Sequence, residues 1–323
     1  MKKPIALIAG EPNSISSEII FKSWKLRKKY IHKPFFIIGS VKLLNLQKKK
    51  LKYQIKIKKI DNRFRLNDLN SNELPVYDIN YEQKKPFEKI SYKSNKYILK
   101  CFDVAIKLFN NKKIAGFINC PVSKEFLFKK KNQGITEFLA KKSNRKGNEV
   151  MLIYNKRLSV SPITTHIPLK QVVSKIKKSK IIKKVKIINN FYIKFLKKKP
   201  NFAILGLNPH NFSPAKNPEE IKIISKAIKT LKKFKIKVSG PIPADSSFVV
   251  SKIYKYDVII GMYHDQVLTP FKALYNYNAI NITLGLPFVR VSPDHGVAVN
   301  IVGKKVAKPK SLIESIKFFN FIK

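Results

Sequence analysis

Acidic residues are scarce in this chain: its 323 residues include 19 aspartates and glutamates against 67 lysines and arginines, a formal net charge of +48. Such a charge could indicate a nucleic-acid-binding protein. Arginine, whose planar guanidinium suits phosphates and bases, accounts for only six of the basic residues. Lysine is spread along nearly every segment instead, so the composition favours a general bias over a specific nucleic-acid surface. It predicts only a weak, salt-sensitive affinity for polyanions.

Long apolar runs and cysteine pairs are also missing. Lysines interrupt every candidate run of about 18 apolar residues, which predicts no transmembrane helix. The apolar run at the N-terminus reaches Glu11 too soon for a signal peptide. Cys101 and Cys120 are the only cysteines and stand in no metal or redox spacing, which predicts a reduced, cytoplasmic protein. With 44% hydrophobic residues, the chain can still bury a sizeable core.

Neither a G-x-G-x-x-G segment nor a Walker sequence occurs, so a bound dinucleotide would not use the Rossmann fingerprint. The chain alternates short apolar runs with amphipathic segments, which indicates an α/β sheet covered on both faces. Spacings of three and four predict a helix over 219–234 and two helices within 171–199. The strand-like runs are 5–9, 35–38, 115–118, 150–154, 203–207, 258–262 and 279–284. Ligands of such sheets gather beyond the carboxyl ends of the strands.

Three of the five histidines follow apolar runs: His166, His210 and His264. Imidazoles that converge at strand ends suit a divalent metal with open coordination positions, although each alone could equally be an ordinary loop histidine. Acidic residues that accompany these segments, such as Asp245 and Asp265, could orient a histidine ring or shuttle protons. For Glu18 and Glu137 the simpler interpretation is a carboxylate in the first turn of a helix, where the helix dipole favours negative charge.

Together these segments resemble the 4-hydroxythreonine-4-phosphate dehydrogenase family of vitamin B6 synthesis. The resembling motifs span almost the whole chain in the family's order. The most specific are residues 262–266 (Met-Tyr-His-Asp-Gln) and 281–288 (Asn-Ile-Thr-Leu-Gly-Leu-Pro-Phe), and the others include 10–12, 120–124, 136–140, 164–166, 206–210, 243–245 and 294–296.

The resemblance implies a two-domain α/β/α sandwich like the isocitrate and isopropylmalate dehydrogenase fold, with residues 1–323 forming one compact chain of two interleaved α/β subdomains. It also implies NAD- or NADP-linked oxidation and decarboxylation of 4-phosphohydroxy-L-threonine at a divalent metal, which could be zinc, magnesium, cobalt or manganese. A homodimer is expected, with the active site at its interface and one metal ligand, His264, supplied by the partner chain.

The site residues carried over by the resemblance fall into four groups. The implied metal ligands are His166, His210 and His264. The implied substrate contacts are Thr136, Lys272, Asn281 and Arg290, and the implied catalytic residues are Asp245 and Lys272. The segment 295–303, with Ala307 and Pro309, resembles the loop that holds the adenosine half of NAD in isopropylmalate dehydrogenases, so His295 and Gly296 are implied cofactor contacts.

Three departures from the family pattern concern the substrate more than the fold. Ile135 stands where the family usually has a histidine, Ser14 and Ser16 stand where it has glycines, and residues 211–216 replace a glycine-rich loop. A related dehydrogenase acting on phosphorylated threonate or erythronate is therefore an alternative. A basic polyanion-binding protein that has lost catalysis is the alternative outside the enzyme class.

Overall fold

A computed structural model describes residues 3–30, 33–128, 134–212, 214, 218–249, 255–276 and 278–321. The chain divides into two compact units, of which the first comprises Met1–Lys131 and Phe288–Lys323 and the second comprises Asn132–Pro287. The second unit is therefore inserted into the sequence of the first. Within the described residues, no helix is both long enough and apolar enough to cross a membrane.

The first unit contains a parallel sheet in the order β3-β4-β2-β1-β5-β12. Numbered along the chain, its strands are β1 (Ile5–Ile8), β2 (Phe35–Gly39), β3 (Ile57–Ile60), β4 (Leu74–Asp78), β5 (Gly116–Asn119) and β12 (Arg290–Pro293). Every residue of β1, β2 and β5 is buried. Burial on both faces explains why these strands are continuous apolar runs in the sequence.

Helices connect the parallel strands of this unit, as parallel pairing requires. They are α1 (Ser16–Lys25), α2 (Arg27–Tyr30), α3 (Val41–Lys50), α4 (Asn95–Asn110), α5 (Lys124–Leu127) and, near the C-terminus, α12 (Lys310–Phe318). In α4 the buried residues recur at helical spacing, including Ile98, Cys101, Phe102 and Ala105. That face covers the sheet, because α4 contacts β1 and β2.

The second unit contains a mixed sheet in the order β11-β6-β7-β10-β8-β9. Its strands are β6 (Val150–Tyr154), β7 (Ser159–Pro162), β8 (Phe202–Leu205), β9 (Val238–Ile242), β10 (Val258–Gly261) and β11 (Ile280–Leu284). Strand β6 runs antiparallel to β11 and β7, whereas β7, β10, β8 and β9 are parallel. The core beside these strands includes Val160, Ala203, Ile259 and Phe271.

The helices of the second unit are α6 (Ile135–Lys142), α7 (Val172–Lys175), α8 (Lys178–Phe191), α9 (Lys226–Lys233), α10 (Ala244–Ser247) and α11 (His264–Tyr275). The prediction of two helices within 171–199 is confirmed by α7 and α8. The helix predicted over 219–234 is present as a π-helical turn, Glu220–Ser225, followed by α9. All seven predicted strand-like runs contain strands, and β3, β4, β7, β9 and β12 are additional.

Candidate metal and substrate site

The three histidines singled out in the sequence follow neighbouring parallel strands of the second unit. His166 follows β7, His264 begins α11 directly after β10, and His210 follows β8. These strands are adjacent in the order β7-β10-β8, so their carboxyl ends lie at one edge of the sheet. The sheet therefore brings together three loops that are far apart in sequence, at the edge where α/β sheets bind ligands.

Side-chain hydrogen bonds tie these three loops together. Thr164 Oγ1, two residues before His166, donates to the carbonyl of Met262 at 2.7 Å. Gln266 Oε1 accepts from the backbone N–H of Met262 at 2.7 Å, while its Nε2 donates to the carbonyl of Gly206 at 2.8 Å. Gln266 thus links the loop that carries His264 to the loop that carries His210.

Each histidine has a carboxylate beside its Nδ1 atom. The distances are 3.2 Å from His166 Nδ1 to Glu137 Oε1, 2.6 Å from His264 Nδ1 to Asp265 Oδ1, and 3.4 Å from His210 Nδ1 to Asp245 Oδ2. A carboxylate on one ring nitrogen fixes the ring and leaves the other nitrogen, Nε2, to bind a metal. The ring nitrogens of the three histidines at this edge of the sheet are therefore suitable ligands for a divalent cation.

Within the chain, only two of the three rings are shown close together. The ring centroids of His166 and His264 lie 6.0 Å apart. Among the described residues, no group of three histidine, cysteine, aspartate or glutamate side chains is placed to hold a metal. The expectation that a partner chain supplies His264 stays a prediction; within one chain this ring lies beside that of His166.

Glu137 has a larger role than the sequence suggested. It does lie in the first turn of α6, but it also contacts His166 and accepts a hydrogen bond from Thr165 Oγ1 at 3.3 Å. Burial opposes its ionisation, yet the hydrogen bond and charge of His166 outweigh burial and lower the pKa of Glu137 to about 2. Glycine at 134 makes room for this pair, because a Cβ there would lie 2.5 Å from Glu137 Oε2.

Glu220 shapes the turn that leads to His210, a role that no pattern in the sequence predicted. Its Oε1 accepts the backbone N–H groups of Leu207 at 2.7 Å and Asn208 at 2.8 Å. Burial raises the pKa of this carboxyl, but the hydrogen bonds from Asn208 and Leu207 outweigh burial, so the pKa is lowered overall. The turn places His210 in the left-handed region, at φ 52°.

The loop at 211–216 is the one that differs from the family pattern. Its residues 213, 215 and 216 lie outside the described residues.

Thr136, one of the implied substrate contacts, lines a cavity of about 100 Å³ together with Thr165, His166, Lys180 and Lys184. Its hydroxyl lies 3.2 Å from that of Thr283 on β11. The structure therefore brings Thr136 to the same cavity as one candidate metal ligand.

The other implied substrate contacts of the second unit are Asn281 and Lys272. Asn281 lies two residues before Thr283 on β11, hence on the same face of the strand. Its Oδ1 atom is buried and has no hydrogen-bond partner among the described residues, so it is an acceptor that a ligand could satisfy. Lys272 lies on α11, two turns after His264.

Arg290 belongs to the first unit, at the start of β12. Its side chain is buried, with 3% of the residue exposed, and its Nε donates to Asn119 Oδ1 at 2.7 Å. Asn119 is itself oriented by a hydrogen bond from its Nδ2 to the carbonyl of Cys120 at 3.1 Å. A buried guanidinium held in this way is suited to binding a carboxylate or phosphate.

His295 and Gly296, the implied cofactor contacts, follow β12 in the first unit. His295 Nδ1 lies 3.2 Å from the carbonyl of Gly296. A Cβ added to Gly296 would meet nothing within 4 Å, so the backbone at this position borders open space. This open backbone fits a segment that a dinucleotide could approach closely.

The fold defines the class of protein. An isocitrate dehydrogenase from Methylococcus capsulatus matches with a TM-score of 0.50 at 10% identity, covering 98% of this chain and 84% of that chain. A likeness at this identity concerns the fold alone: the chain shares an α/β fold with this isocitrate dehydrogenase, as the resemblance implied.

The family follows from closer relatives. The family model described as "Pyridoxal phosphate biosynthetic protein PdxA" matches residues 31–319. A 4-hydroxythreonine-4-phosphate dehydrogenase from Sulfurihydrogenibium sp. (strain YO3AOP1) is 39% identical over 324 residues, covering 99% of this chain and 98% of that protein. The crystal structure of a 4-hydroxythreonine-4-phosphate dehydrogenase from Klebsiella pneumoniae matches with a TM-score of 0.82 and 27% identity, covering 100% of both chains. This chain belongs to the PdxA family.

The family also has relatives with a different substrate in their names. A protein from Oceanobacillus iheyensis, provisionally named D-threonate 4-phosphate dehydrogenase, is 32% identical over 322 residues, covering 98% of this chain and 96% of that protein. Similarity across the whole chain therefore identifies the family and leaves the choice of substrate to the residues of the site.

Proposed function

We propose that this protein catalyses the metal-dependent, NAD- or NADP-linked oxidation and decarboxylation of 4-phosphohydroxy-L-threonine to 3-amino-2-oxopropyl phosphate, in vitamin B6 (pyridoxine 5'-phosphate) biosynthesis. The observation that carries this proposal is the set of three carboxylate-supported histidines at adjacent strand ends, in a chain of the PdxA family. Zinc, magnesium, cobalt and manganese are all candidates, because neutral imidazoles select weakly among divalent metals.

His166, His264 and His210 would hold the metal, which when bound polarises the substrate hydroxyl and stabilises negative charge on oxygen. Glu137 and Asp265 keep two of the rings oriented. The hydroxyl proton leaves to a base as the hydride leaves carbon for the dinucleotide, and Asp245, beside His210, is the carboxylate proposed to relay that proton.

The remaining site residues would bind and orient the substrate. Lys272 and Arg290 provide positive charge for its phosphate and carboxylate groups. Thr136 and Asn281 provide a hydroxyl and an amide for its polar groups, and the buried Oδ1 atom of Asn281 would gain a partner. After oxidation, the β-keto acid releases carbon dioxide, and Lys272 is proposed to supply the proton that the resulting carbanion needs.

We also propose a homodimer with a shared active site, in which one metal ligand comes from the partner chain. The distances within one chain favour His210 over His264 as that ligand. His166 and His264 lie together in one chain, while no third ligand joins them among the described residues.

We propose a cytoplasmic location. Cys101 and Cys120 are buried and form no disulfide, and burial raises the pKa of both thiols, which suits two inert, reduced side chains.

A phosphorylated threonate or erythronate is the second candidate substrate. Two observations favour it: Ile135 replaces the usual histidine and is buried at 4% exposure, and a relative named for a threonate phosphate shares almost the whole chain. The non-catalytic polyanion-binding alternative is less favoured, because the histidines all retain carboxylate partners.

A substrate panel tests the proposal. Purified protein, supplied with metal, is assayed for reduction of NAD and NADP with 4-phosphohydroxy-L-threonine, 4-phosphothreonate and 4-phosphoerythronate, and for release of carbon dioxide. Turnover of the amino acid at the highest kcat/KM supports the first candidate. Turnover of the sugar acids alone selects the second, and tight, sequence-selective nucleic-acid binding without turnover contradicts both.

A further inference from the structure

Two residues of α1 bind a distant segment near the C-terminus of the chain. Glu18, which is 1% exposed, accepts hydrogen bonds at Oε1 from Lys22 Nζ at 2.7 Å and from the backbone N–H of Ala307 at 2.7 Å. Lys22 Nζ also donates to the carbonyls of Lys305 at 2.8 Å and Ala307 at 2.7 Å. An ammonium group has three N–H donors, so these three bonds use all of them.

The Glu18–Lys22 pair fixes the position of residues 305 and 307 more than it adds to the stability of the folded protein. A buried ion pair gains little net stability, because removing both charges from water offsets their attraction. An apolar pair of similar size would serve as well for packing α1. What the ion pair supplies is a set of directed hydrogen bonds to three backbone groups of residues 305 and 307, and these define where the segment lies relative to α1.

The bound segment, residues 303–309, has an unusual backbone and surface. Gly303 and Lys305 both adopt left-handed conformations, with φ of 77° and 64°, and a lysine persists there only when its surroundings hold it. Ala307 is buried, while Val306 is 58% exposed. Lys304, Lys305 and Lys308 are also exposed, and no acidic residue occurs between positions 295 and 313.

These features suit the adenosine phosphate end of a dinucleotide. An exposed apolar side chain can pack against a ring, and nearby lysines attract phosphate oxygens. We infer that Glu18 and Lys22 are positioning residues that hold residues 303–309 in the conformation that binds the dinucleotide. The inference rests on the proposed dinucleotide-linked function.

The test compares Lys22→Met, Glu18→Gln and Lys22→Arg with wild type. The matched control is Lys58→Met, which removes an ion pair to Asp68 (3.0 Å) elsewhere in the same unit. Affinity for reduced NAD or NADP is measured by fluorescence titration, alongside KM for each substrate, kcat and metal affinity. Tryptic cleavage after Lys304 and Lys305 measures the conformation of the segment directly and does not depend on enzymatic activity.

For Lys22→Met we expect at least a tenfold weaker affinity for the reduced dinucleotide and a similar rise in its KM, with KM for the phosphorylated substrate and metal affinity within twofold of wild type. Cleavage of the segment should become faster, and the dinucleotide should slow cleavage in wild type. Lys22→Arg should retain most of the affinity, and Lys58→Met all of it.

Dinucleotide affinity within twofold of wild type in both Lys22→Met and Glu18→Gln would overturn the inference, even if cleavage became faster. Losses of equal size in dinucleotide, substrate and metal binding would also overturn it, since they indicate a general structural role. If Lys22→Met does not fold, Glu18→Gln decides, because it removes the charge that holds Lys22 and keeps an oxygen that can accept from Ala307, so that the helix packing is preserved. Wild-type protein that binds no dinucleotide contradicts the proposed function itself.

Discussion

Glu137 Oε1 lies 3.2 Å from Nδ1 of His166, and the charge and hydrogen bond of His166 help to keep this carboxyl ionised despite its burial. With its pKa lowered to about 2, Glu137 is a carboxylate at any pH where the protein would act. A carboxylate at this position orients the imidazole and makes its other nitrogen a stronger ligand.

Removal of this carboxylate should weaken metal binding. We expect Glu137→Ala to reduce the affinity for zinc by about 10- to 100-fold, the usual range for losing such a partner, and Glu137→Gln by less, because its amide oxygen can still accept a hydrogen bond. Competition titration with a chromogenic chelator measures this. Glu125→Gln, at an exposed first-turn glutamate of α5, is the control and should change nothing. Unchanged affinity in Glu137→Ala would mean that the contact has no role in metal binding.

Gly134 should be intolerant of even one methyl group. The Cβ of Gly134→Ala would lie 2.5 Å from Glu137 Oε2 and 2.9 Å from His166 Cε1, closer than side chains approach one another. We expect the variant to separate Glu137 from His166 and to lose about tenfold or more in metal affinity, by the same reasoning as for Glu137. Gly296→Ala, which meets no atom within 4 Å, is the control. Equal metal affinity in both variants would show that the pair can move without consequence.

Lys184 should destabilise the folded protein near neutral pH. Burial and, to a smaller extent, the charge of Lys180 lower the pKa of Lys184 to about 8, against the opposing charges of Glu149 and Glu137. Below pH 8 the folded protein therefore holds an ammonium group in an unfavourable place. Between pH 8 and about 10.5 the unfolded chain binds more protons at this site than the folded chain, so the contribution of Lys184 to stability rises with pH.

Lys184→Met should therefore be more stable than wild type at pH 7. The pKa shift corresponds to roughly 3 kcal/mol, and the lost hydrogen bond to the carbonyl of Pro162 costs about 1 kcal/mol, which leaves a gain of about 2 kcal/mol. Urea unfolding from pH 7 to 10 measures the difference, which should shrink as pH rises. Lys178→Met, at an exposed position of the same helix, should show neither effect. A less stable Lys184→Met protein at pH 7 would contradict the prediction.

Much of the fold was predictable because burial leaves a direct mark on the sequence. The seven strands found as apolar runs are wholly or largely buried, and most of their residues are therefore apolar. Strands β7 (Ser-Val-Ser-Pro) and β12 (Arg-Val-Ser-Pro) were missed, although all their residues are buried, because both contain polar residues. In β7 these residues have hydrogen-bond partners: Ser161 donates to the carbonyl of Met151 at 2.7 Å, and Tyr192 donates to Ser159 Oγ at 2.8 Å. Such partners cannot be inferred from hydrophobic periodicity.

The histidines of the site were found because they stand where apolar runs end, but their order in the sheet was not in the sequence. Strand β10 lies between β7 and β8, and this adjacency places His264 beside His166. Glu137 and Glu220 were not identified as parts of the site, because a glutamate in the first turn of a helix looks the same whether it supports the helix or a distant loop.

The shared active site makes a prediction about mixed dimers. If His166 and His264 come from one chain and His210 from its partner, a mixture of inactive His166→Ala and His210→Ala chains should form mixed dimers with one intact site. Random exchange of a closed twofold dimer then restores about a quarter of wild-type activity. A mixture of His166→Ala and His264→Ala should restore none. Recovery in the second mixture, or in neither, would contradict this assignment of ligands.

A metal held by these histidines is expected to enable the chain to oxidise a phosphorylated hydroxy acid with a dinucleotide. The most direct measurement is the rate of NAD or NADP reduction on 4-phosphohydroxy-L-threonine by chelator-treated protein, before and after stepwise addition of a divalent metal, with His166→Ala as the control. We expect no turnover without metal, full recovery on adding metal to wild type, and no recovery in His166→Ala. Full turnover by the metal-free protein, with nothing gained on adding metal, would contradict this role of the metal.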